Sequence, residues 1–351
     1  MQQNPITTVK FLDQASKQFV ESIDWDKYSS VFLLCDENTH RECWPKLKSW
    51  YPQLFNDEQL IIVEAGEEHK KLQTAEFIWR SLVDSGADRY SLLINLGGGM
   101  ITDLGAFAAS LYQRGIEFIH LPTSLLAMVD AAIGGKTGVD LDNLKNQIGT
   151  FNQPKAILVF DDFLETLDDE EYLSGMAEVY KHALVKDSSL WSELISISND
   201  RLSLQLIKKA ANIKAEIVEQ DPLELFIRKV LNFGHTIGHA IESNFLSYGN
   251  PIPHGYAIAA GMICEAYLSK EFSTLSDEDF QSIVNTLKEK YPKLEWTEDD
   301  EPQMIKTMLA DKKNKGGEIR MVLLQDIGKA TFDHSISQEQ IHSALKCYRE
   351  L

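Results

Sequence analysis

The stretch from Ser91 to Gly99 leaves this chain few folds to choose from. Ser91 to Leu96 is an apolar run of strand length, it ends in Gly97-Gly98-Gly99, and Asp103 to Leu111 then reads as a helix. A strand turning through glycine into a helix is the repeating unit of an α/β fold, in which ligands bind at the carboxyl ends of the strands. Neighbouring segments repeat the pattern. Val31 to Cys35 and Leu60 to Val63 are strand candidates, Ala75, Ile78 and Leu82 recur at helical spacing before Gly86, and Phe118 to Leu121 is a strand stopped by Pro122. After about Asp161 the periodic segments are long and helical, as in Leu204 to Val218 and Tyr256 to Leu268. The expected architecture is an α/β domain over residues 1–161 and a mainly α-helical domain over residues 162–351.

Four segments carry the residue types of chemistry. The glycines at 97–99 let a backbone approach a pyrophosphate, and the helix that follows favours negative charge at its start. The dinucleotide fingerprint is incomplete, because Thr102 occupies its last glycine position. Gly134-Gly135-Lys136-Thr137 imitates the end of a P-loop, but Asp130 stands where that loop needs its first glycine, so triphosphate binding is excluded there. Asp130, Lys136, Lys145 and Asn146 fall in a glycine-rich segment expected to be irregular, where several can converge. On a predicted helix, Glu178 and Lys181 are three apart and share a face, and apolar neighbours Met176, Ala177, Val179 and Tyr180 suggest that the pair is buried.

The fourth segment runs from Arg228 to His254. His235 and His239 are one helical turn apart, a spacing that suits a shared metal ion or substrate, and the Glu that marks zinc proteases is absent after His235. Arg228 and Asn232 lie within two turns before them, and His254 follows a loop bracketed by Pro251 and Pro253. That collection suits an anionic substrate held beside a metal.

Composition narrows the partners. A net charge of -19 argues against nucleic-acid and membrane-surface partners, so any anionic substrate must meet a local cluster of Lys and Arg. Cys35, Cys43, Cys264 and Cys347 have no paired spacing, the opening Met-Gln-Gln-Asn-Pro lacks a basic region followed by an apolar core, and no apolar run reaches membrane-span length. A soluble, cytoplasmic protein is expected.

Several motifs in order carry a resemblance across nearly the whole chain. They are Gly-Glu-Glu-His-Lys at Gly66 to Lys70, the glycine triplet with Asp103, Leu-Pro-Thr-Ser-Leu-Leu-Ala-Met-Val-Asp ending at Asp130, Gly-Gly-Lys-Thr-Gly-Val from Gly134, and Leu-Lys-Asn-Gln-Ile-Gly from Leu144. Gly-Met-Ala-Glu-Val-Tyr-Lys, Leu-Asn-Phe-Gly-His-Thr-Ile-Gly-His and Asp-Lys-Lys-Asn at Asp311 to Asn314 complete the set. The sequence resembles the 3-dehydroquinate synthase family of sugar-phosphate cyclases. The resemblance implies a Rossmann-like NAD-binding α/β domain, a helical metal-binding domain, and a lyase of the shikimate pathway. The implied reaction converts 3-deoxy-D-arabino-heptulosonate 7-phosphate to 3-dehydroquinate by transient oxidation with NAD, phosphate elimination, re-reduction and internal aldol closure.

The resemblance also implies roles. Zinc, or cobalt in its place, would be held by Glu178, His235 and His254, while His239 would face the substrate phosphate. Asp36, Glu67, Lys70, Gly98, Gly99, Asp103, Thr123 and Ser124 match NAD contacts, as do Leu164 and Thr166, with Asp130, Lys136 and Lys145 also placed at the cofactor. Lys214 and Arg228 match contacts to the substrate carboxylate; Lys136, Asn146, Asn232, His239 and one of Lys312 or Lys313 match contacts to its phosphate. Asp130 and Lys181 are implied proton carriers, and Arg114 matches an arginine reaching a neighbouring subunit, which implies a homodimer. Three departures stand out: Ala131-Ala132 replaces two serines, Ser124 a threonine, and Tyr256 a Glu common after the His-Gly pair, which would deprive His254 of a carboxylate neighbour. Competing readings are another sugar-phosphate cyclase and a metal-dependent glycerol or alcohol dehydrogenase, which usually has Asp as first ligand and needs no phosphate cluster.

Overall fold

The computed structural model describes residues 7–12, 18–21, 23–55, 57–141, 144–197, 201–310 and 318–351. The chain divides into two compact units, Met1–Asp168 with Lys214–Leu223, and Asp169–Ile213 with Glu224–Leu351. The first unit continues past Asp161 because Phe163 packs its ring on Trp50 and Phe160, at 5.3 and 5.9 Å between centroids.

The first unit contains strands β1 (Val9–Phe11), β2 (Val31–Asp36), β3 (Leu60–Val63), β4 (Leu92–Gly97), β5 (Glu117–Pro122), β6 (Lys136–Leu141), β7 (Leu144–Phe151) and β8 (Ala156–Val159). Six of them form one sheet in the order β1-β8-β5-β4-β2-β3, with every neighbour parallel. Strand β4 is buried at every position, which is why it reads as an unbroken apolar run instead of an alternating one. Its one polar interruption is Asn95, whose amide nitrogen lies 3.3 Å from Nδ1 of His120 at the paired position on β5. The helix Gly99–Leu111 crosses this spot at Gly105, where a Cβ would come within 2.0 Å of the Asn95 oxygen. Glycine is therefore what lets helix and sheet approach.

Two local expectations change. The helix begins at Gly99, ahead of Asp103, because Gly98 is extended and starts it directly. The segment expected to be irregular is ordered: a π-helical turn at Ala127–Ala131 leads to the antiparallel hairpin β6–β7. Thr137, Val139, Ile148 and Thr150 are β-branched and pair across it, with the Thr137 and Thr150 hydroxyls 2.8 Å apart. Gly134 and Gly135, which suggested irregularity, take positive φ only at the entry to the hairpin.

The second unit is mainly helical, with helices including Asp169–Lys186, His235–Ser247, His254–Phe272, Asp277–Lys290 and Gln338–Glu350, and one hairpin of β9 (Ile319–Asp326) and β10 (Lys329–Ile336). The helix His254–Phe272 is buried almost all round and is the core of this unit, as its nearly continuous apolar sequence requires. Arg228 and Asn232 are not on the helix of His235, as their spacing suggested; they sit on a short 3-10 turn, Ile227–Asn232, separated from it by Gly234 at φ 79°. No helix among the described residues is long and apolar enough to cross a membrane, and all four cysteines are thiols.

Burial pushes the His120 imidazole down to about 3. The folded chain therefore keeps this ring neutral while the unfolded chain protonates it below its ordinary value of about 6.5. Its contribution is complete above that pH and drains away as pH falls toward 3, at up to about 1.4 kcal/mol per unit. Urea midpoints of wild type and His120→Gln between pH 7 and 4.5 should show the variant losing stability less steeply; parallel slopes would contradict this.

Candidate active site

In the first unit, seven of the residues assigned to the cofactor collect along the carboxyl edge of the sheet. Asp36 ends β2, Gly98 and Gly99 follow β4, Thr123 and Ser124 follow β5, and Leu164 and Thr166 lie beyond β8. Successive parallel strands deliver them to one side, the side on which open α/β sheets bind ligands. Each is locally fixed. Asp36 accepts the Thr39 N–H at 2.8 Å and caps a helix, the Thr123 N–H donates to the Gly97 carbonyl at 3.0 Å, and the Thr166 hydroxyl donates to the Phe163 carbonyl at 2.6 Å. A Cβ on Gly98 would stand 3.2 Å from the Ser124 hydroxyl, so the turn is bare of side chain where the helix begins.

Lys70 is the hub of the same unit. Its ammonium is buried and donates to Asp103 at 2.7 Å and to the Asn146 carboxamide oxygen at 2.9 Å, with Glu67 at 3.4 Å. Burial works to lower its pKa, but Asp103 and Glu67 outweigh it and hold the ammonium above the ordinary lysine value. Asn146 adopts φ 52°, and the Asp140 carboxylate accepts its backbone N–H at 2.7 Å. With its oxygen on Lys70, the Asn146 side chain presents its N–H donors outward. Lys214 and Asp130, assigned separately, form an ion pair at 2.8 Å. Lys136, Lys145 and Arg114 are exposed, and Arg114 lies in a turn where Gln113, Arg114 and Gly115 all have positive φ.

In the second unit, three elements meet at Glu178. Its carboxylate is buried, touches Lys181 one turn along the helix Asp169–Lys186, and lies 3.4 Å from Nε2 of His235 and 3.5 Å from Nε2 of His254. Neither oxygen accepts a well-formed hydrogen bond among the described residues. Burial would raise the Glu178 pKa, but Lys181 and His235 pull it well below the ordinary carboxylate value. The outer nitrogens of both imidazoles are held. His235 Nδ1 faces the Phe233 carbonyl at 3.1 Å and His254 Nδ1 faces Glu242 at 3.4 Å, so both Nε2 atoms turn toward Glu178. One carboxylate and two imidazoles held this way fit a catalytic divalent-cation site. His239 is also near, since ligand atoms of His235, His239 and His254 lie within 4.8 Å of one another.

The helix His254–Phe272 touches both partners through glycine. A Cβ on Gly255 would meet the Ser174 carbonyl at 2.1 Å, one turn before Glu178, and a Cβ on Gly261 would meet the Gly234 carbonyl at 2.0 Å, just before His235. Arg228 is buried, and the Asn232 amide donates to Glu224 at 2.6 Å. Glu224, Glu242 and Asp140 escaped the sequence reading. Glu242 carried a signal, two turns after His235 on one helix face, and it supplies His254 with the carboxylate that Tyr256 does not. Tyr256 instead sets its ring edge-on to Tyr291, at 5.7 Å. Lys312 and Lys313 lie outside the described residues.

Comparison with known proteins agrees with the motifs. Residues 60–174 match the family model described as 3-dehydroquinate synthase N-terminal, and residues 175–314 the one described as 3-dehydroquinate synthase C-terminal. The chain is 39% identical to a 3-dehydroquinate synthase of Parabacteroides distasonis, covering 100% of this chain and 99% of that one. It is 42% identical to one of Thermodesulfovibrio yellowstonii, covering 82% and 81%. Among solved structures, 2-epi-5-epi-valiolone synthase of Streptomyces hygroscopicus, with NAD+ and Zn2+ bound, superposes with a TM-score of 0.85 at 26% identity, covering 100% of this chain and 98% of that one.

The buried ammonium of Lys70 yields a direct expectation. Lys70→Met removes the cation that compensates Asp103 and Glu67, and breaking a pair of this kind costs about 3–5 kcal/mol. Denaturant unfolding of Lys70→Met should show a loss on that scale, and a loss below about 1 kcal/mol would mean that solvent already screens the cluster.

Proposed function

The chain belongs to the 3-dehydroquinate synthase family, and from that premise we propose that it converts 3-deoxy-D-arabino-heptulosonate 7-phosphate to 3-dehydroquinate and phosphate. The observation that carries the reading to particular atoms is the turning of two held imidazoles toward the buried Glu178 carboxylate. Glu178, His235 and His254 would hold zinc or cobalt, and the residues along the carboxyl edge of the sheet would hold NAD. When bound, NAD supplies reversible hydride transfer and the cation supplies a Lewis acid for the substrate's oxygens.

The chain's own groups bind and steer the anion. Arg228 offers a rigid fork for a carboxylate, and Lys214 a second cation that Asp130 holds in place. Asn146, whose side-chain oxygen is engaged by Lys70, Lys136 and His239 offer donors for phosphate, and Asn232, whose amide N–H groups are given to Glu224 and the Lys229 carbonyl, would release one to join them. Asp130 and Lys181 would carry protons, each standing beside an oppositely charged group. Fixing a substrate among such preset charges provides much of the rate. The exposed Arg114, on its turn of positive φ, suits a contact with a second copy, and we place the enzyme as a homodimer. Thiols at all four cysteines suit a reducing cytoplasm.

Mixing the protein with the heptulosonate phosphate, NAD and zinc should release phosphate while NADH does not accumulate. Lasting NADH without phosphate would point to a dehydrogenase of the glycerol or alcohol type. Metal analysis separates the histidines. His239→Ala should keep zinc through dialysis and lose phosphate release, whereas His254→Ala should lose both; the reverse pattern would make His239 the ligand.

A further inference from the structure

One buried carboxylate in the second unit has no part in the chemistry above. Glu265 lies three turns after His254 on the central helix, is fully buried, and is the sole charged residue between His254 and Leu268. Its carboxylate does not face its own helix. Oε2 accepts the Gly234 N–H at 2.7 Å, and Oε1 accepts the Thr236 and Ile237 N–H groups at 3.1 and 3.2 Å. These are the donors that a helix beginning at His235 leaves unsatisfied, and no side chain of its own caps that helix, because its first flanking residue is Gly234.

The contact is possible because the two helices touch backbone to backbone. A Cβ on Gly261 would lie 2.0 Å from the Gly234 carbonyl and 2.7 Å from the Gly238 N–H nitrogen, and one turn beyond Gly261 the Glu265 side chain reaches across to the exposed N–H groups. Its negative charge there also suits the positive end of the helix dipole. The residue directly inside the clasped turn is His235, and the helix that supplies the clasp begins with His254.

We propose that Glu265 is a positioning residue for the metal centre: by capping the His235 helix from the His254 helix, it fixes the orientation of His235 relative to His254. This rests on the reading that Glu178, His235 and His254 hold a divalent cation. A carboxylate that served only the fold would contribute to stability without acting on the metal. One that sets the ligands governs affinity and ligand-field geometry, as residues supporting metal ligands do, by about 10- to 100-fold in affinity.

The test uses the full chain, loaded with zinc or with cobalt(II), as wild type, Glu265→Gln and Glu265→Asp. Glutamine keeps the shape but turns an amide toward N–H donors, and aspartate keeps the charge on a shorter arm. Folding is followed by circular dichroism and thermal melting, zinc affinity by competition with a chelator, and geometry by the visible absorption of the cobalt form. The expected result is a folded variant with zinc affinity lowered by about 10-fold or more and a shifted cobalt spectrum. A folded variant with wild-type affinity and spectrum, whatever its melting temperature, overturns the proposal. So does failure of both variants to fold, which would assign Glu265 to the fold. If wild type itself binds neither cation, the ligand assignment fails instead, so the two failures are distinguishable.

Discussion

The second unit depends on how closely its central helix can approach its neighbours. Side chains normally keep helix axes about 8–10 Å apart and let the separation vary with whatever packs between them. At Gly255 and Gly261 no side chain intervenes, and the next obstacle to each missing Cβ is a backbone carbonyl, of Ser174 and of Gly234. The Gly255 N–H also donates to the Ser174 hydroxyl at 2.9 Å. Glu178, His235 and His254 are therefore carried on three segments whose spacing is set by main chain. That rigidity holds two imidazoles beside one oxygen of a fully buried carboxylate whose other oxygen touches Lys181.

The first unit solves a different problem. A parallel sheet covered on both faces has no room for charge inside, so its polar groups gather at the strand ends. Asn95 and His120 are the exception, a polar pair on adjacent central strands, kept neutral by burial and covered at Gly105. Asp36, Gly98, Gly99, Thr123 and Ser124 sit at the end of a strand or just beyond it.

Much of this was legible before any coordinates. The strands β2 to β5 were visible because buried parallel strands are apolar throughout, and the helices of the second unit because their apolar stripes recur at helical spacing. Motif order identified the family. What could not be read was pairing in space. Asp130 and Lys214 are far apart in sequence and nothing local says that they meet. The hairpin β6–β7 was hidden by glycines that mark its entry and its cross-strand contact, where Gly149 leaves space for the Thr137 carbonyl. Gly234 broke the helical register that seemed to join Arg228 to His235, since a single left-handed residue ends a period without altering the composition around it. Glu265 left only the faint mark of one acid in an apolar helix, and its partners are backbone groups, which no sequence pattern names.

Lys70 uses both ends of its residue. Its ammonium holds Asp103 at the glycine-turn helix and Asn146 on β7, while its carbonyl accepts the Asp140 N–H of β6 at 2.7 Å. Pulling the hairpin away would break the backbone bond and take the Asn146 oxygen from the buried ammonium in the same event, while Asp103 and Glu67 stay with the lysine. Hairpin and lysine are thus joined through main chain and side chain at once, so local opening of the one costs the other a partner. A segment that looks peripheral in sequence thereby shares the persistence of the buried lysine to which it is bound.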